Sequence, residues 1–329
     1  MKLRPTVLVF LLFLISPVSS GDDLDRSVEL YWKSHSVLVE TTRHLIENVN
    51  LGWASAQGEI GPDYAITEQT KNFLLAKSKF EEFDRLLERY SSLKVTDRFA
   101  VKHKSTMLEY LYSSRPVLIE MITEGEAILS ATESQDIDGL SRASINLQWQ
   151  NILQMEGENA LISTTNYRLS TWEPVLWLNL CQVAANKTQI DFNEAVIGVI
   201  VGYSQDDVLQ LLDSAERNLR TYRRQITVGR EKTRGLVAYA EEHPEIMETY
   251  GTLTDIAERA DTYIASFDNE SIMADAQEEM IEFEKKLVIE KNIPRDELVR
   301  MFQSFELKQK LILKRRYELA AERAERFGN

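Results

Sequence analysis

Seam positions recur along most of this chain at alternating steps of four and three residues. Leu24, Val28, Tyr31, His35, Leu38, Thr42, Leu45 and Val49 form the first row. Phe73, Ala76, Phe80, Phe83, Leu87 and Tyr90 form a second, and Met107, Leu111, Ser114, Leu118, Met121, Gly125 and Ile128 a third. Val208, Leu212, Ala215, Leu219, Tyr222, Ile226, Gly229, Thr233, Leu236 and Ala240 make the longest row. Two shorter rows follow, Ile246, Tyr250, Leu253, Ala257, Ala260 and Ile264, then Ala276, Met280, Phe283 and Leu287. A repeat of about 3.5 residues predicts helices packed nearly side by side, as in bundles and antiparallel coiled coils.

The helix-breaking residues agree with that reading. After residue 20 the prolines are Pro62, Pro116, Pro174, Pro244 and Pro294. Pro116 falls inside the third row, where it is expected to kink or split the helix. Pro244 should end a helix that starts at Ser204, and a last helix is expected from Pro294 towards Phe327. Thr67, Thr96 and Ser204 are placed to cap helix starts, and Ser170 with Glu173 has capping-box spacing ahead of Pro174. Val196 to Val201 is a short apolar run open to strand or helix. The expected fold is all-α: one or more long antiparallel bundles of about eight to nine helices with heptad-type seams.

Charge is distributed unevenly over these elements. Ala143 to Gln205 carries seven Asp, Glu, Lys or Arg residues in 63 positions, against 83 in the other 266. Charge is costly to bury, so a charge-poor interval marks surface that leaves water. Flanked by heptad helices, it reads as the element that they enclose, dividing the chain into 21–133, 134–203 and 204–329. Ala143 to Met155 has no charge, yet it carries Asn146, Gln148, Gln150, Asn151 and Gln154 around Trp149. Amides beside an aromatic ring bind sugars or peptides, or bond one another across a core. Trp149, Gln148, Asn151 and Gln154 are therefore the ligand-binding candidates. Pro174 to Asn186 is also uncharged and mostly apolar, with Trp177 and Cys181, and reads as a buried helix.

The amino-terminal twenty residues carry Lys2 and Arg4, an apolar run from Val7 to Ile15, and small residues before Gly21. That is the pattern of a cleavable secretion signal, and nine apolar residues fall well short of the ~20 that a membrane span needs. The expected location is exported, periplasmic or secreted, with no stable membrane anchor. Removing residues 1–20 takes the net charge from −14 to −16, since two cations and no acids go. So acidic a chain repels phosphate backbones, which excludes nucleic acid as a partner class. Cys181 is the single cysteine, so no internal disulfide is available, and its apolar neighbours predict an inert buried thiol. The triplets beginning at Asn186 and Asn269 have glycosylation spacing.

Candidate chemistry is sparse. Glu40, His44 and Glu47 share a helical face, but the seam puts them on its solvent side, where an ion-pair cluster is expected and no metal site is assigned. His35 lies on the inward seam and reads as a core histidine or as the centre of a bundle-core enzyme site. No nucleophile turn or phosphate-binding glycine loop is present, so neither catalytic residues nor a cofactor are assigned. Gly198 and Gly202 have the spacing of close helix contacts. Arg217, Arg220, Arg223, Arg224, Arg230, Lys232 and Arg234 make one helix basic. They either pair with acidic helices such as that bearing Asp275 and Glu278, or bind an anion or partner through Arg217, Arg220 and Arg224. The leading expectation is a non-enzymatic helical binding or interaction module for a protein or small-molecule partner. A helical pore-forming or membrane-remodelling toxin and an enzyme near His35 are the other two classes.

Overall fold

The computed structural model describes residues 21–290 apart from 57, 166–168, 170 and 248–250, and positions 311, 315, 318 and 319. The expected secretion signal and most of the helix expected after Pro294 lie outside the described residues. The described chain forms eight α-helices with no strand among them. They are α1 Gly21–Ala56, α2 Pro62–Ser92, α3 Arg98–Ser134, α4 Ile137–Thr165, α5 Pro174–Val201, α6 Gln205–Arg234, α7 Leu236–Glu242 and α8 Leu253–Glu290. A 3₁₀ turn, Pro244–Ile246, precedes α8. The all-α antiparallel architecture is as the seams require, and Val196 to Val201 is helical. The chain divides into two compact units at 161/162, within the last turn of α4. The charge-poor interval thus straddles the division, with α4 in one unit and α5 in the other.

In the first unit α1 to α4 alternate in direction. Glu40 of α1 meets Lys79 of α2, Asp84 of α2 meets Arg115 of α3, and Glu124 of α3 meets Asn146 of α4. Leu38, Leu45, Phe83, Met107, Leu111, Leu118, Met121 and Ile128 are the buried apolar centre. The predicted rows account for these residues. They do not account for Ser27, Ser34, Thr41 and Asn48, seven apart on α1 and each fully buried. Ser34 and Thr41 donate to the carbonyls of Leu30 and Val37 at 2.8 Å, which removes most of the cost of burying a hydroxyl. Asn48 and Gln69 each donate a side-chain amide to the other's backbone carbonyl, at 3.1 and 2.9 Å.

In the second unit α5, α6 and α8 form an up-down-up set around Cys181, Leu212, Tyr222, Ile226, Phe267 and Ile281. Asn218 of α6 meets Asp191 of α5, and Lys285 of α8 meets Asp213 and Glu216 of α6. The whole predicted α6 row is buried. Beside it, Leu169, Leu236, Ala240, Ile246 and Ile256 form a smaller core with Trp172 and Tyr239 stacked over it, ring centroids 5.0 Å apart.

Several boundaries differ from expectation for local reasons. The α3 helix runs unbroken through Pro116. Gly61 with Pro62 starts α2, leaving Thr67 inside it bonded to the carbonyl of Asp63. Asp97 caps α3, while Thr96 donates its N–H and hydroxyl to Asp23. Glu173 caps α5 directly, so it is not the third residue of a box begun at Ser170, which lies outside the described residues. The helix from Ser204 breaks at Gly235 before resuming as α7. From Leu253 on, the two short carboxy-terminal rows are one helix, α8, on which Ile256, Tyr263 and Phe267 are buried and Ala257 and Ile264 are half-buried; Ile246 lies in the 3₁₀ turn and Tyr250 outside the described residues. Neither glycosylation triplet lies in a loop, and Asn269 is 4% exposed.

Ser204 does cap α6, accepting from the N–H of Asp207. Ser204→Ala is expected to cost about 1 kcal/mol by urea denaturation. Gly229 faces Phe267, whose ring atoms would stand 2.6 and 2.7 Å from an added Cβ, and the Trp177 Cβ would stand 2.8 Å away. Alanine gains about 1 kcal/mol of helix propensity but overpacks this contact. Gly229→Ala is therefore expected to lose a net of about 1–2 kcal/mol in the same measurement.

Candidate functional site

The end of α5 builds a recess. Gly202 closes the helix in the left-handed region at φ 86°, which side chains with a Cβ rarely adopt. The N–H groups of Gly202 and Tyr203 both donate to the carbonyl of Gly198, at 3.0 and 2.8 Å. This folds the Tyr203 ring over Gly198, where a Cβ would approach within 2.7 Å of it. The Gly198–Gly202 spacing thus serves a helix end and an aromatic lid over it. Ser204 then starts α6, whose first turns face the same space. The result is a cavity of about 560 Å³ lined by Tyr203, Asp207, Gln210, Leu211, Asp213 and Arg217.

Its polar groups are unequally committed. Asp207 accepts from the hydroxyl of Ser204 at 2.6 Å. The ammonium of Lys285, 2.6 Å from Asp213, bonds that carboxyl and holds its pKa below the usual value. Arg217, Gln210 and the exposed ring of Tyr203 remain; Arg217 adds to the lowering of Asp213 through space but forms no ion pair with any described residue. A ring face beside an amide and a guanidinium suits a polar ligand that stacks and accepts hydrogen bonds.

The other basic residues of α6 are used differently. Arg223 reaches Asp275 and Glu278 at 2.8 and 2.6 Å, and Arg230 reaches Asp268 at 2.6 Å, all on α8. Arg220 stands 3.7 Å from Glu216 on its own helix, and Arg224 is exposed; neither lines the recess. Arg217 alone of the three anion-binding candidates does so.

The amide candidates do not converge. Trp149 is exposed on the outer row of α4 together with Asn146 and Leu153. Gln154 is buried on the opposite side, where it accepts from Thr42 at 2.9 Å. Gln148 and Asn151 are half-buried between these faces. Asn146 donates to Glu124 at 3.2 Å.

His35 faces a carboxylate that the sequence does not single out. Its Nε2 is 3.6 Å from Oε1 of Glu158, inside a shell of Tyr31, Trp32 and Tyr110. Nearby, the Ser27 hydroxyl bridges Tyr90 at 2.9 Å and His103 Nδ1 at 3.0 Å. Burial raises the phenols of Tyr31, Tyr90 and Tyr110 and lowers His103 to about 4. Neither described cavity is lined by His35, Glu158 or His103. Glu40 pairs with Lys79 at 2.8 Å and Glu47 with Arg43 at 3.8 Å. Among the described residues no three His, Cys, Asp or Glu side chains converge as metal ligands.

Tyr203, Asp207 and Gln210 were missed because a helix end followed by a cap reads as punctuation. Glu158 was missed because α4 carries no seam regular enough to orient it.

A buried neutral His103 has a stability consequence. Its folded pKa of about 4 lies below its unfolded value of 6.5. The unfolded chain therefore binds more protons as pH falls below about 6.5, and stability drops until about pH 4. Between pH 7.5 and pH 5 the loss from this group should be about 2 kcal/mol. Urea titrations at the two values should show this loss, and His103→Gln should reduce it. No family model, curated protein sequence or solved structure is significantly similar to this chain.

Proposed function

We propose that the protein is an exported, non-enzymatic binding module, built of helical bundles, that engages its ligand through the end of its charge-poor region. The observation that carries this reading is the cavity of about 560 Å³ in which Tyr203, the last aromatic residue of that region, meets Arg217. Its fit is to a polar ring-bearing ligand such as a saccharide: Tyr203 supplies a stacking face, Gln210 and Arg217 directional bonds. The non-enzymatic part is supported by the sequence, which carries no nucleophile turn or phosphate-binding glycine loop. Export is supported by the tripartite pattern of residues 1–20. No helix among the described residues is long and apolar enough to cross a membrane.

The test is a thermal-shift screen of the mature chain against neutral and acidic saccharides. A specific ligand should raise Tm saturably, adding about 2.7 kcal/mol of stability at a hundredfold excess over Kd. Tyr203→Ala and Arg217→Ala should each weaken that ligand at least about tenfold, the scale of one lost charged hydrogen bond. Trp149→Ala should leave it unchanged. Loss of binding in Trp149→Ala alone would move the site to α4, and the absence of any saturable ligand would overturn the saccharide assignment.

A further inference from the structure

The first unit holds a second recess of about 410 Å³, lined by Arg26, Glu29, Leu30, Arg89, Ser92, Leu93 and Lys94. Arg26, Glu29 and Leu30 come from successive turns of one α1 face. Arg89 and Ser92 end α2, and Leu93 and Lys94 follow it. Three cations facing one hollow is an inversion of sign in a chain of net charge −14.

The acids around it are already engaged. Glu29 is ion-paired with Lys33, and the bond to that ammonium lowers its carboxyl below the usual range. Asp23 accepts from the N–H and hydroxyl of Thr96 at 2.9 and 3.1 Å. Asp97 caps α3 by accepting from Phe99 and Ala100. The carboxy-terminal carbonyls of α2 would normally recruit nearby cations. Here Lys104 takes that role, donating to the carbonyls of Ser91 and Leu93 at 2.7 Å each. Arg26 and Arg89 act on Asp23 and Glu29 only through space, and neither they nor Lys94 form an ion pair with any described residue.

We propose that this recess is a binding site for a small organic anion carrying a phosphate or carboxylate group. Two guanidinium forks and an ammonium match the oxygens of such a head group. The volume exceeds a bare oxyanion, and Leu30 and Leu93, 6% and 9% exposed, floor the space left for its organic part. The overall negative charge opposes approach little, because salt screens it beyond about 8 Å at physiological ionic strength, and the local cations act at shorter range. The site is independent of the Tyr203 recess and needs none of its residues.

The experiment titrates the mature chain with glycerol 3-phosphate, citrate and inorganic phosphate, read by Tm against sodium chloride at matched ionic strength. Glycerol 3-phosphate or citrate should raise Tm saturably and beyond the chloride control. Arg26→Gln and Arg89→Gln, both surface changes, should each weaken that response about tenfold or more. Arg217→Gln, in the other recess, should leave it intact, so failure at one recess does not implicate the other. Co-sedimentation with phosphatidylglycerol vesicles distinguishes a lipid head group from a free ligand. Wild-type curves in both variants, equal shifts with chloride, or vesicle binding without a soluble response would each overturn the proposal.

Discussion

The α1 helix buries two rows of side chains at once, and the arrangement of the first unit follows from that. Leu38 and Leu45 face the apolar centre, while Ser27, Ser34, Thr41 and Asn48 form a second, fully buried row. A helix with so wide a buried face needs neighbours on more than one side, and α2, α3 and α4 supply them. Small side chains on the second row let those neighbours come close. At one end Ser27 joins Tyr90 of α2 and His103 of α3. Towards the other, the Asn48–Gln69 exchange is extended by Gln69 donating to Thr132 of α3 at 3.1 Å. Two polar layers joining the same three helices fix their axial register, since sliding by a turn would leave buried amides and hydroxyls without partners. With no disulfide available, that specification has to come from side chains.

Charge has a different task on the surface of the second unit. Arg223, Arg230 and Lys285 link α6 to α8, but their partners are more than a third exposed in each case. Such pairs contribute at most about 1 kcal/mol each, well below the burial of Leu212, Tyr222, Ile226 and Phe267. They select which faces meet more than they hold them together. The informative cations are those that form no ion pair among the described residues: Arg217 at one recess, and Arg26, Arg89 and Lys94 at the other.

Periodicity made the apolar skeleton legible, including the lone polar positions Thr42, Ser114 and Thr233 on it, and it failed where a whole buried row was polar. Every position predicted for α6 is buried because that helix is strongly two-faced, with charge crowding the other side. The row Ser27, Ser34, Thr41 and Asn48 was invisible, because a hydroxyl that satisfies itself on the preceding turn looks like any solvent-facing serine. The same reason makes α8 look like two helices in the sequence. Its buried Arg259, Thr262, Asn269, Glu270 and Gln277 interrupt the apolar count without interrupting the helix. Of the candidate sites, Arg217 could be named from charge alone, and His35 from its seam position. Their partners Tyr203 and Glu158 depend on how a helix ends and how two helices pair, which spacing along one chain does not encode.

The charge-poor interval now separates into parts with different causes. From Leu178 to Ile190 low charge is the consequence of enclosure, as Leu178, Cys181, Val183, Ala184, Ala185, Thr188 and Ile190 are all buried. Burial also accounts for Ala143, Ile145, Leu147 and Ile152 of α4. It does not account for Trp149, Leu153 and Tyr203, which are 39%, 49% and 56% exposed. Trp149 and Leu153 sit on an open helix face, whereas Tyr203 is held over Gly198 by the closing turn and shares its space with Arg217, which forms no ion pair among the described residues. A preorganised ring beside a free hydrogen-bond donor loses little entropy on binding, and an aromatic side chain on a smooth helix face has no such partner. That difference is the reason the proposed site lies at the end of the interval, outside the amides that surround Trp149.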